Sequence, residues 1–107
     1  MNIFPKIYTK TEFLELLITN NINDNIIHKF NKLPEHIEIN KSTYFIYINV
    51  TQYGVKNPTF NYELNYYSND LIEFLFNSKV FSSIELSVNN LLCDLMNIKL
   101  ININEIQ

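Results

Sequence analysis

A chain of 107 residues with 47% hydrophobic and 18% charged side chains has the length of one domain (1–107), enough apolar material for a core, and too little charge for a disordered chain. The formal net charge is −3, the isoelectric point is about 5.2, and all eight basic residues are Lys. With no Arg there is no bidentate fork for phosphate, and an acidic balance offers little counter-charge, so composition argues against a dedicated DNA or RNA surface.

The residue choice is skewed toward Asn, Ile, Leu, Phe and Tyr, with no Ala, no Trp and one Gly. An AT-rich gene explains this, and Asn richness then loses its value as a functional signal. Helices must form without the best helix former and lean on tertiary packing. The single cysteine, Cys93, excludes an intrachain disulfide, and its apolar helical setting reads as a buried structural thiol. The N-terminal MNIFPKIYTK lacks the apolar run of a signal peptide, and no stretch approaches the roughly 20 apolar residues of a membrane helix, so a soluble cytoplasmic protein is expected. Asn40-Lys41-Ser42 and Asn49-Val50-Thr51 match the glycosylation sequon and are read as accidental.

Residues 1–8 read as an extended lead-in containing Pro5. Thr9-Lys10-Thr11-Glu12 has capping-box spacing, predicting a helix over about 10–19 with Phe13, Leu14, Leu17 and Ile18 as its apolar stripe. Asn20-Asn21 interrupts it. A second start at Asn23 or Asp24 leads into Ile26, Ile27, Phe30 and Leu33, and Pro34 ends the helix; one bent helix is the alternative. From Glu35 the period changes to two: His36 to Asn40 alternates as a half-buried strand. Ser42 to Tyr53, STYFIYINVTQY, is rich in β-branched and aromatic residues and holds no charge, which suits the centre of a sheet. A third strand follows over about Thr59 to Tyr67. Ser68 then caps a largely apolar helix running to Asn77, and residues 78–82 form a link with a short strand at Val80-Phe81. A last helix spans about Ser83 to Asn97 with the stripe Ile84, Val88, Leu91, Leu92, Leu95, and Ile98 to Ile103 alternates weakly as an edge strand. The expectation is an α+β fold: an antiparallel three- to four-stranded meander with two helices N-terminal and two C-terminal to it.

Chemistry is hard to find. His28 and His36 have no metal-ligand spacing with Cys93 or any acidic pair, and His28 reads as a residue at the core margin. The carboxylates of Glu35, Glu38, Glu63, Asp70 and Glu73 read as solvated charges. No Ser, Thr or Cys has a nucleophile setting, and one glycine cannot build a phosphate loop. No cofactor or metal is expected, and no catalytic residue is assigned.

The strongest feature is a sheet face. If Ile46, Ile48 and Val50 pack inward with Phe60, Tyr62 and Leu64, strand parity turns Phe45, Tyr47 and Tyr53 to the other side. Tyr67 joins them, with Glu38 and Glu63 around, as a partner-binding surface; cover by a helix pair or a homodimer is the alternative. No residue pattern points to a particular family. At the level of class only, a small, acidic, motif-free α+β chain looks like a stoichiometric inhibitor, as bacterial immunity proteins and phage anti-defence proteins are. The expectation is a toxin-neutralising immunity protein, of contact-dependent-inhibition or polymorphic-toxin type, meeting a basic toxin domain. The alternatives are a phage or plasmid anti-defence inhibitor, a subunit of a larger assembly, or a small enzyme with a non-standard site.

Overall fold

The computed structural model describes residues 4–68, 75 and 79–101. In chain order they form β1 (Phe4–Thr9), α1 (Lys10–Thr19), α2 (Asp24–Lys32), β2 (His36–Ile39), β3 (Ser42–Tyr53), β4 (Thr59–Ser68) and α3 (Ile84–Asn97). The class is α+β, with an antiparallel sheet of four strands and, among the described residues, three helices. One helix, not two, therefore follows the sheet among these residues. The second expected one, Ser68 to Asn77, lies outside them except for Ser68, the last residue of β4, and Leu75, whose N–H donates to the Tyr66 carbonyl.

The uncharged strand is central, as its composition requires. β4 pairs with β3 over Tyr44 to Tyr53, so the other edge of β3 is shared by β2, opposite Ser42 to Phe45, and β1, opposite Tyr47 to Gln52. Those two strands lie end to end. Ile46 falls at the break between them, and its N–H donates to the Glu35 carbonyl at 3.2 Å. The chain leaves the sheet at this break as α1 and α2 and re-enters at β2. Only β2, β3 and β4 follow the expected meander. The lead-in is not a free arm but strand β1, because β3 offers it an edge that local sequence cannot reveal.

The caps follow the sequence closely. Thr9 accepts from the Glu12 N–H while Glu12 Oε1 accepts from the Thr9 N–H at 2.9 Å. Asn23 caps α2 and Ser83 caps α3. Two helices form instead of one bent helix, because Asn21 takes the left-handed conformation (φ 54°) that Asn tolerates. Asn40 and Lys41 both have positive φ, as a two-residue hairpin turn between β2 and β3 demands. The expected short strand at Val80-Phe81 reduces to one bridge in which Phe81 and Tyr62 exchange both backbone hydrogen bonds. Residues 98–101 form no strand: Ile98 caps α3, Lys99 has φ 60°, and the Leu100 N–H returns to the Leu95 carbonyl, so helix termination overrides a weak alternation. The rest of that expected strand lies outside the described residues.

Strand parity sorts the sheet into two faces. Tyr44, Ile46, Ile48 and Val50 of β3 and Leu64 and Tyr66 of β4 are buried in one cluster with Phe13 and Leu17 of α1, Phe30 of α2, and Val88, Leu91, Leu92 and Leu95 of α3. Each such aliphatic side chain contributes about 1.5–3 kcal/mol when fully buried. Two polar ties fix the layers. The Tyr66 hydroxyl donates to the Pro34 carbonyl, joining β4 to the start of β2, and Ser87 Oγ donates to the Tyr62 and Ser83 carbonyls.

Two sequence expectations fail on helix geometry. Cys93 is exposed, because it lies about 200° around α3 from Leu91 at roughly 100° per residue. His28 is exposed too, on the side of α2 away from Phe30.

Candidate protein-binding face

The register fixes what stands beside what on the sheet's other face. One row runs His36, Phe45, Tyr67 across β2, β3 and β4. The next runs Thr9, Tyr47, Asn65, and the next Ile7, Asn49, Glu63. Glu38 lies opposite Thr43, on the far side of the Phe45 row. Two aromatic rows are thus bounded along the strands by one carboxylate at each end, Glu38 and Glu63.

Ring contacts hold the aromatic cluster together. His36 and Phe45 have centroids 5.9 Å apart and tilted by 45°, and Tyr47 and Tyr67 are 5.9 Å apart at 60°. These are ordinary tilted aromatic geometries, worth about 0.5–1.5 kcal/mol per pair beyond area. Asn65, opposite Tyr47 in the register and two residues before Tyr67 on β4, is only 1% exposed, and its Nδ2 donates to the Tyr67 hydroxyl at 3.4 Å. Phe45, Tyr47, Tyr67 and Glu63 are half-buried, and Glu38 is exposed.

Tyr53 does not belong to the cluster. It has the right parity and is 38% exposed, but it lies six residues from Tyr47, about 20 Å along a strand rising roughly 3.4 Å per residue. Parity alone assigns a face; register and distance decide a cluster.

Sequence reasoning missed three features here. Ile7, 63% exposed, extends the apolar area through β1. Among the described residues, Asn49 Oδ1 is buried with no hydrogen-bond partner, in the row that also holds Ile7 and Glu63. At the break between β1 and β2 a cleft of about 130 Å³ opens, lined by Thr9, Lys10, Glu35, His36 and the Phe45–Tyr47 segment. Lys10 Nζ donates to the Asn31 carbonyl at 3.0 Å in the last turn of α2. Burial pushes the Lys10 ammonium below its ordinary pKa, an effect that the nearby Glu35 carboxylate opposes. No signal in the sequence could have brought Lys10 and Glu35 together, since 25 residues and two helices separate them.

No family model, curated protein or solved structure matches the chain at a significant level. Among the described residues no group of three or more His, Cys, Asp or Glu side chains is arranged to hold a metal ion, and no helix is long and apolar enough to cross a membrane.

Proposed function

We propose that the chain is a stoichiometric protein-binding inhibitor, of the toxin-neutralising immunity type, that occludes a basic partner with the outer face of its sheet and performs no chemistry of its own. The observation that carries this reading is the asymmetry of the sheet. The buried residues of α1, α2 and α3 join the core with one face, while the opposite face carries Phe45, Tyr47 and Tyr67 between Glu38 and Glu63. Aromatic anchors ringed by polar groups are the usual make-up of a binding hot spot. Flanking carboxylates and a net charge of −3 favour a partner with exposed Lys or Arg, whose encounter they accelerate.

The test is capture of a basic protein partner from the native host and neutralisation of its toxicity, measured with binding kinetics on the purified pair. Tyr47→Ala is expected to raise the off-rate by about tenfold or more, the scale of losing an aromatic anchor. Glu63→Gln is expected to slow association and flatten its salt dependence with little effect on the off-rate. A folded Tyr47→Ala variant that neutralises as well as wild type overturns the reading. A second copy of this chain as the sole occupant of the face, seen as a Tyr47-dependent dimer by sedimentation, would replace it with self-assembly.

A further inference from the structure

On the helical side of the sheet, and independent of the partner face, a second recess opens at the end where β1, β3 and β4 meet α1. Its volume is about 400 Å³, within the range of small-molecule sites. Four aromatic rings wall it. Tyr8 meets Phe13 at 5.6 Å, Phe13 meets Tyr62 edge-on at 6.2 Å, and Phe60 stacks along Tyr62 at 6.5 Å. Among the described residues no charged side chain lines the walls, and Asn20, whose Nδ2 is tied to the Leu16 carbonyl, is one of the lining residues. Phe60 remains 38% exposed, although it has inward parity, so the recess reaches solvent.

Among the described residues, Lys6 is the cation held against a wall of this recess. Lys6 shares the parity of Tyr8 on β1, is exposed, and holds its Nζ 5.1 Å above the Tyr8 ring. The Glu12 carboxylate feels the Lys6 charge, and its Oε1 accepts from the Thr9 N–H. An apolar, aromatic-walled recess with a single ammonium beside one wall is complementary to an amphipathic anion.

We propose that this recess binds an amphipathic carboxylate, with the apolar body between Tyr8, Phe13, Phe60 and Tyr62 and the anionic head on Lys6. The Tyr62 phenol, which burial raises further above neutral pH, is protonated and able to donate to such a ligand.

Decanoate and decanol serve as matched probes, with the methyl NMR signals of Leu17, Ile22, Val50 and Ile84 as the readout, since all four residues line the recess. Decanoate should shift these signals in wild type and bind about three- to fivefold tighter than decanol, the scale of one exposed ion pair. Lys6→Gln should abolish that preference and leave decanol binding unchanged. Ile22→Trp, if folded by circular dichroism, should block both probes; if it does not fold, the Lys6→Gln comparison decides alone. Absence of shifts at millimolar decanoate overturns the proposal. So does equal affinity of wild type for the two probes, or shifts confined to Ile7 and Thr51 on the opposite face. Failure here leaves the partner-binding face untouched, because no residue is shared between the two sites.

Discussion

Ile48 and Tyr47 are neighbours in one strand, with the same backbone and the same two flanking strands, yet they live in different solvents. Ile48 is fully buried beneath the helices, whereas Tyr47 is half-buried beside Tyr67 and Thr9. The inner positions of β3 from Ile46 to Val50 are aliphatic: Ile46, Ile48, Val50. The outer ones are Phe45, Tyr47, Asn49 and Thr51, side chains with an apolar body and, in all but Phe45, a polar end. The lesson is that a strand's two faces can be told apart even when the whole strand is uncharged, because amphipathic residues collect where the cover is incomplete.

The sharpest way to break this comparison is Ile48→Asp. It places an unpaired carboxylate in the core, and we predict a loss of more than about 3 kcal/mol, enough to abolish a cooperative melt. A melt like that of wild type would invert the two faces. Truncating the neighbours compares them directly. Ile48→Ala should cost about 2–5 kcal/mol by urea denaturation, as a large-to-small core change. Tyr47→Ala should cost about 1 kcal/mol, since one tilted ring pair and part of the strand propensity are lost.

A fourth change should move stability the other way. Asn49 Oδ1 is buried without a partner among the described residues, so Asn49→Val removes an unmet acceptor and adds a β-branched side chain. A gain of about 1 kcal/mol in the same denaturation assay is expected. A loss of that size would mean the amide is satisfied in solution. The smallest effect concerns the cap of α1, which seats Phe13 and Leu17 on the inner face. The hydrogen bonds from Thr9 hold the Glu12 carboxyl below its ordinary value of 4.5. Because the folded pKa is depressed, this stabilisation is present above the unfolded value and is lost as pH falls through the folded one. The melting-temperature difference between wild type and Glu12→Ala should therefore shrink on acidification from pH 7 to below about pH 3. A constant difference would remove the charge from the cap.

Most elements were legible because each carries a local cause: Thr9 and Asn23 as caps, Pro34 as a stop, the uncharged run from Ser42, the 3.6-residue stripe from Ile84 to Leu95. β1 was not, because Phe4 to Thr9 includes Pro5 and Lys6 and becomes a strand only through β3, some forty residues away. The candidate face was read from parity, which correctly turns Phe45, Tyr47 and Tyr67 together but says nothing of distance, so Tyr53 was grouped with residues it does not reach. Cys93 shows the same limit on a helix. An apolar neighbourhood in sequence contains every side of the helix, and only the angle from Leu91 sends this thiol outward.

The reciprocal bonds of Thr9 and Glu12 have one more consequence. The Ile46 N–H points toward the β1–β2 edge, so Ile48, Val50 and Gln52 do as well, and their partners Tyr8, Lys6 and Phe4 turn their backbone groups inward. Pro5, Ile7 and Thr9 turn theirs away from the sheet. Pro5 has no N–H to give, and that of Thr9 is taken by Glu12. Of the three, Ile7 alone keeps a donor for an incoming strand, and one donor cannot support a ladder. The pair that starts a helix therefore also blunts the β1 edge against pairing with a strand from a second copy.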